Sequence, residues 1–182
     1  VYGMSTGVIT AATEPVPCSL YGKSKLAAEK ALQDLRREDF KVCIVRPPMI
    51  YGNACKGNYR PLAKLARKTP IFPDVKNERS MLYIDNLCEL LRLLVENEEA
   101  GIFFPQDKEY VKTSEMVKQI GTCHGRKPAL TKVFNPMLRL LSGVGVVKKV
   151  FGSLVYEKPM SVYDKGEYRI KEFAQAIEES EK

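Results

Sequence analysis

A chain of 182 residues, 45% hydrophobic and 28% charged, can bury one core. It holds no run of eighteen apolar residues and no charged-then-apolar leader, so neither a membrane-spanning helix nor a secretory signal is expected. Its formal net charge of +7 suits phosphorylated small molecules, anionic surfaces or nucleic acid. Lysine and arginine are read as spread along the chain, with modest clusters at Arg36-Arg37 and Lys148-Lys149 and no aromatic-interleaved basic strip, so a nucleic-acid partner is not expected; with no spanning helix, a membrane partner is not expected either.

Residues 4–20, rich in Pro, Thr and Gly, read as a loop. Ser19 is placed to cap a helix over 21–38, whose apolar positions 26, 27, 28, 31, 32 and 35 form a stripe. Residues 41–45 are continuously apolar after the first, as in a buried parallel strand, and Arg46-Pro47-Pro48 ends it. A helix is predicted over 58–68 with Pro61 in its first turn; Ile71-Phe72-Pro73 is a short extended piece. Asp85 is read as the cap of a helix over 85–97, with Leu87, Leu90, Leu91 and Leu94 on one face. Residues 101–104 read as a strand, 113–123 as a helix capped by Thr113, and 130–134 as a strand. Asn135 is read as the cap of another helix that has Pro136 at its first position. Residues 134–156 are the most apolar stretch, interrupted by Arg139, Lys148 and Lys149. An amphipathic helix is predicted over 168–181. Alternating strands and helices place the chain in the α/β class.

Five cysteines stand at 18, 43, 55, 88 and 123, an odd number with no Cys-x-x-Cys pair. Cys43 and Cys88 lie in apolar runs and read as small buried hydrophobes. All five read as reduced thiols, which suits a cytoplasmic protein. His124 is the only histidine and has no second ligand at metal spacing, so no metal is expected.

The chemistry-bearing feature is Tyr21-Gly22-Lys23-Ser24-Lys25. Four residues apart on a helix, Tyr21 and Lys25 share a face. An ammonium beside a phenol favours the phenolate and makes a proton-transfer pair. Val1-Tyr2-Gly3 precedes it. Val42-Cys43-Ile44-Val45-Arg46-Pro47-Pro48-Met49-Ile50-Tyr51-Gly52 and Arg79-Ser80-Met81-Leu82-Tyr83-Ile84-Asp85 follow. In this order the motifs resemble the extended short-chain dehydrogenase/reductase superfamily, in particular its NAD-dependent nucleotide-sugar epimerases and dehydratases, with the UDP-glucose (UDP-galactose) 4-epimerases as the nearest branch. The likeness covers about residues 1–104.

The resemblance implies an α/β fold: the C-terminal part of a Rossmann-type parallel sheet plus a small α/β substrate-binding domain. Residues 1–52 would end the NAD-binding domain. Residues 53–182 would form mainly the substrate domain, with the chain returning to the sheet around 80–104. It implies NAD as cofactor, a UDP-sugar as substrate and a homodimer as one possible assembly. Tyr21 would be the catalytic acid–base. Lys25 would activate it and hold the nicotinamide ribose, and the strand-end Arg46-Pro47-Pro48-Met49, through Pro48 and Met49, would approach the nicotinamide. Asn58 and Arg79 would meet the diphosphate, while Ile71 and Phe72 would flank the uracil, largely through backbone groups. Each of these has a plainer reading as well: Asn58 as a helix cap, Phe72 as core, Arg79 as a surface charge.

The family's Gly-rich phosphate turn has no counterpart in these residues, and its Ser/Thr partner would lie just ahead of Val1; Ser5 and Thr6 fall on the wrong side of the motif. The 182 residues are therefore expected to be the C-terminal part of a longer protein and inactive alone. Pro48 and Met49 depart from the aromatic residue and Asn often found there in the epimerases. A 4,6-dehydratase or reductase of the same superfamily, or a non-catalytic dinucleotide-binding scaffold, remain as alternatives.

Overall fold

The computed structural model describes residues 1–3 and 6–182; Ser5 lies outside the described residues, as does Met4 of the expected 4–20 loop. Among the described residues there are eight strands: β1 (Gly7–Ile9), β2 (Cys43–Val45), β3 (Met49–Tyr51), β4 (Ile71–Pro73), β5 (Met81–Tyr83), β6 (Gly101–Phe103), β7 (Ala129–Thr131) and β8 (Leu154–Tyr156). Seven helices accompany them: α1 (Leu20–Asp34), α2 (Tyr59–Ala66), α3 (Ile84–Glu96), α4 (Thr113–Cys123), α5 (Asn135–Leu140), α6 (Gly145–Phe151) and α7 (Phe173–Ser180). The strands pair β1–β8, β2–β6, β3–β5 and β4–β7, each in parallel. Parallel partners need long crossovers, and α2 accordingly lies between β3 and β5, α3 between β2 and β6, and α4 between β4 and β7. The chain is α/β.

Strand β5 stands between two apolar clusters. Met81 and Tyr83 pack with Tyr51, Tyr59, Phe72, Val117, Ile120 and Ile177, while Leu82 points the other way to Leu90, Leu94 and Tyr168. The alternation of side chains along a strand serves both faces at once.

Several expectations are corrected. Strand β2 is not buried, and Cys43 and Cys88 are exposed, because β2 is bonded along one edge only, to β6. Helix α1 ends at Asp34, and its buried residues are Gly22 and Glu29 rather than the leucines; Leu32 and Leu35 face solvent. Asp85, Thr113 and Asn135 do not cap their helices, since Tyr83, Lys112 and Phe134 hold the cap positions. On α3, Leu91 is exposed and Leu93 joins the core. The expected loop holds β1, which pairs with β8 far along the chain.

The terminal helix begins at Phe173, not 168, closed by a Glu172–Gln175 capping box. Tyr168 is instead sunk into the core. Its hydroxyl lies 2.9 Å from the carbonyls of both Gln106 and Ser161 and accepts from the Gln106 amide at 3.1 Å. These partners hold the backbone out of the helix. Beside it, Asp107 accepts from Tyr51 Oη at 2.9 Å, Asn86 Nδ2 at 2.8 Å and the Tyr83 amide at 3.1 Å. Burial pushes the Asp107 carboxyl up, against those hydrogen bonds. The network ties the loop after β6 to β3, β5 and α3.

Helix α7 is fastened to α2 and α4 through Glu181, whose side chain is 2% exposed. Tyr59 Oη donates to it at 2.6 Å and Arg67 Nη2 at 2.8 Å, and His124 Nε2 lies 2.7 Å away. Burial pushes this carboxyl up, but the bonds from Tyr59, His124 and Arg67 outweigh it and hold it below the ordinary range. With the folded value below the unfolded one, the stabilisation is present above about pH 4.3 and is lost as pH falls through the folded value. Urea midpoints should therefore drop on acidification below about pH 4, and Glu181→Gln should flatten that drop. An unchanged acid profile in the variant would refute the assignment.

Candidate functional site

The helix carrying Tyr21 and Lys25 starts where two close approaches fix the chain. The Ser19 side chain accepts from the Gly22 amide at 3.0 Å and caps α1. A Cβ at Gly22 would stand 2.9 Å from Pro17 Cβ, so the turn before the helix packs onto its first residues. Gly3 has φ +66, and a Cβ there would meet the Val16 carbonyl at 2.1 Å. Only glycine lets Val1-Tyr2-Gly3 lie against residues 16–18.

Tyr21 is 72% exposed. The Lys25 ammonium lies 5.6 Å from its ring centroid, over the face. Both groups therefore face solvent at the head of α1, open to a bound molecule.

One turn beyond Lys25 on the same face stands Glu29. It is 8% exposed and forms a two-pronged ion pair with Arg46, 10% exposed, at the end of β2; Arg46 Nε donates to Oε2 at 3.1 Å and Nη2 bonds Oε1. Arg46 also donates to Tyr2 Oη at 2.8 Å and lies between the Tyr2 and Phe104 rings, 5.4 and 5.6 Å from their centroids. Burial works against the guanidinium charge, yet the bonds to Glu29 and Tyr2 carry its pKa above the ordinary value. The pair pins α1 to the sheet and sets the height of Tyr21 and Lys25 above β2. The sequence placed Arg46, with Pro47, Pro48 and Met49, toward the nicotinamide; its guanidinium is instead bound to Glu29 and Tyr2, and Glu29 had been given no role. The signal was the 21–25–29 spacing, which on its own reads as a surface ion pair.

Three expected residues from distant parts of the chain meet in one cavity of about 290 Å³. Met49, Asn58 and Arg79 line it together with Pro61, Leu62, Leu65, Thr113 and Val150. Apolar walls with a few converging polar groups are what small-ligand sites present. Asn58 occupies the cap position of α2 but makes no side-chain cap bond, so its amide is available. Arg79 is half-buried rather than a surface charge. Its backbone pairs with Val111 and its Nη1 donates to the Gly152 carbonyl at 3.1 Å. Burial pulls its pKa down. Thr113, which the sequence had read as a cap, donates instead to the Val150 carbonyl at 2.8 Å and accepts from Asn77.

The remaining expected residues lie apart from this cavity. Phe72 is buried against Phe151, ring centroids 5.8 Å apart, so only its backbone could meet a ligand. Ile71 is exposed on the neighbouring strand position. Pro48 leads into β3 beside Met49. Tyr21 and Lys25 are not among the cavity-lining residues. Among the described residues, no group of three His, Cys, Asp or Glu is arranged to hold a metal ion.

A family model described as the NAD dependent epimerase/dehydratase family matches residues 1–104, more than half of the chain. UDP-glucose 4-epimerase from Vibrio cholerae is 34% identical over 106 residues, covering 55% of this chain and 32% of that protein. N-acetyl-alpha-D-glucosaminyl-diphospho-ditrans,octacis-undecaprenol 4-epimerase from Escherichia coli O157:H7 is 29% identical over 111 residues, 57% of this chain and 34% of that one. The chain thus spans about a third of the length of these curated relatives. The structure of UDP-glucuronic acid 4-epimerase from Bacillus cereus in complex with NAD matches with a TM-score of 0.69 at 16% identity, over 98% of this chain and 56% of that one. At that identity the likeness shows the fold alone, a Rossmann-type α/β architecture.

Proposed function

The chain belongs to the NAD-dependent epimerase/dehydratase family, and from that premise we propose that it carries the acid–base and substrate-binding part of a nucleotide-sugar 4-epimerase. The observation that carries this reading is the Tyr21/Lys25 pair, presented to solvent at the head of α1 and pinned from below by Glu29 and Arg46. A scaffold that only kept the fold would have no need of both.

Tyr21 is assigned the proton transfer at the sugar C4 oxygen, taking the proton as that carbon is oxidised and returning it as it is reduced. Lys25, whose ammonium lies over the Tyr21 ring, is assigned the nicotinamide ribose hydroxyls and the activation of Tyr21. The residues present fit the nicotinamide end of NAD: Tyr21, Lys25 and the Pro48–Met49 turn. The sequence holds no glycine turn for its pyrophosphate. When bound, NAD supplies the hydride acceptor and donor. Asn58 and Arg79 are assigned the substrate diphosphate, and the apolar walls from Met49, Leu62 and Val150 exclude water from it. Both curated relatives are named for sugars carried on a diphosphate, and UDP-glucose/UDP-galactose is the pair we assign here. Ile71 and the Phe72 backbone are assigned the uracil.

The same reading makes this chain one part of a larger sheet. The open edge of β2 and the bare leucines of α1 support that. We also end the NAD-binding part near residue 52 and assign 53–182 mainly to substrate, with the chain returning to the sheet around 80–104, a return that the pairing of β6 with β2 supports. Five unpaired thiols support a cytoplasmic location. Homodimer formation is the assembly we assign, and sedimentation of the natural protein tests it.

The deciding experiment assays the natural protein with NAD for interconversion of UDP-glucose and UDP-galactose. A 4-keto-6-deoxy product instead would move the assignment to a dehydratase. The diphosphate site is tested separately by titrating UDP. Arg79→Lys keeps the charge but loses the planar fork that grips a diphosphate through two oxygens. UDP should bind about tenfold more weakly, or ~1.4 kcal/mol. The lost bond to the Gly152 carbonyl should cost a further ~1 kcal/mol of stability. Undiminished UDP affinity would remove Arg79 from the substrate site.

A further inference from the structure

The positive charge of this chain is not spread as the sequence reading held. Of the 29 Lys+Arg and 22 Asp+Glu residues, seven cations and no carboxylate fall between positions 116 and 156, which leaves 22 of each sign elsewhere. The whole net charge of +7 belongs to that stretch.

Apolar side chains of the same stretch face outward. Leu140 is 86% exposed and Val133 79%, and Met137, Leu141 and Val144 are exposed with them. Positions 133, 137, 140, 141 and 144 have the spacing of one helical stripe. Val133 precedes α5, Met137 and Leu140 lie on it, Leu141 opens the short 3-10 turn Leu141–Gly143 and Val144 is the extended cap residue of α6, so the stripe runs over two short helices joined by a bend. Such a stripe ordinarily points into a core; this one points to solvent. Beside it lies a hollow of about 760 Å³, whose walls carry Lys76, Lys132, Arg139 and Lys148 against a single carboxylate, Asp74.

Two kinds of partner could cover an exposed apolar stripe. The centre of a protein–protein interface is depleted of lysine. A helical segment lying in a bilayer interface has the opposite composition, with Lys and Arg along the flank and long aliphatic side chains on the buried side. Lys132, Arg139 and Lys148 flank the stripe, and the absence of carboxylates over forty residues complements a negative surface. We propose that residues 132–148 dock this protein on the surface of an anionic bilayer. Val133, Met137, Leu140, Leu141 and Val144 enter the headgroup–acyl boundary, and the flanking cations pair with lipid phosphates. The sequence reading expected no membrane partner because nothing could span. Docking on the surface needs no span, and no helix among the described residues is long and apolar enough to make one.

The test measures binding, so it stands apart from the assigned activity. The natural protein is sedimented with vesicles of phosphatidylcholine alone, and with vesicles that also contain phosphatidylglycerol. Binding to the anionic vesicles should be at least tenfold stronger. It should weaken as salt rises from ~0.1 to ~1 M, where the screening length falls from ~10 to ~3 Å. Leu140→Asp alters a side chain that fills no core, so melting should be unchanged while vesicle binding falls tenfold or more. Arg139→Glu should do the same through charge, and replaces it if Leu140→Asp does not fold. Equal or absent binding to both vesicle types overturns the proposal, as does a variant that binds like the parent. A Leu140→Asp protein that loses self-association but keeps vesicle binding also overturns it, and gives the stripe to a second copy of the chain.

Discussion

Tyr21→Phe in the natural protein should lower turnover by ~10²-fold or more while leaving NAD affinity and melting temperature nearly as they are. The substitution removes one oxygen from a ring that is 72% exposed, so no cavity opens and the core is untouched. The ring face under the Lys25 ammonium remains, and the cation keeps its place. What disappears is the atom assigned to carry the C4 proton. A transition-state interaction lost in this way lowers kcat with little change in KM. Lys25→Met should lower turnover too, but should also weaken NAD, since Lys25 is assigned the ribose. If Tyr21→Phe interconverts UDP-sugars at the parental rate, Tyr21 is not the acid–base and the assigned mechanism fails with it.

Why the sequence exposed this pair but not its support is a matter of range. Tyr21 and Lys25 are four residues apart, and helical geometry alone brings them together. Helix α4 was legible for a similar reason: its apolar positions repeat at helical spacing within eleven residues, and it spans Thr113–Cys123 as predicted. Strand β1 was not legible. Its three residues have no alternation to read, and they are ordered by β8 almost 150 residues away. Tyr168 misled because its apolar character fits an amphipathic helix, while its hydroxyl had distant carbonyls to reach at Gln106 and Ser161.

At the candidate site the same division holds. Asn58 and Arg79 could be named only through the family resemblance. That they share a cavity with Met49 and Thr113 follows from β3, α2 and the segment before β5 converging, which no local pattern encodes. The half-buried state of Arg79 was also hidden. Its bridge partners Val111 and Leu154 lie more than thirty residues away. This changes the experiment: truncation to Ala would remove the charge along with the bond to the Gly152 carbonyl, whereas Lys keeps the charge, and UDP titration and melting then read the ligand contact and the structural bond separately.

The Glu29–Arg46 pair carries the largest expected effect on stability. Arg46→Ala should cost ~3–5 kcal/mol, because it leaves a carboxylate that is 8% exposed without its partner. It also removes the bond to Tyr2 and two ring contacts. For a protein stabilised by ~5–15 kcal/mol that is a large fraction, and a domain of this size should melt roughly 6–20 °C lower. The pair's two roles, stability and placement, separate in a double variant. Glu29→Leu with Arg46→Met removes both charges at similar volume, and replacements of this kind are often neutral for stability. Melting should then recover most of the loss. Turnover of the natural protein should not, because apolar side chains pack without the directional fork that sets how far α1 stands from β2. Full recovery of both would reduce the pair to a structural bond with no part in placing Tyr21. An Arg46→Ala protein that melts like the parent would mean that Glu29 finds water or another partner, and the pin itself would have to be abandoned.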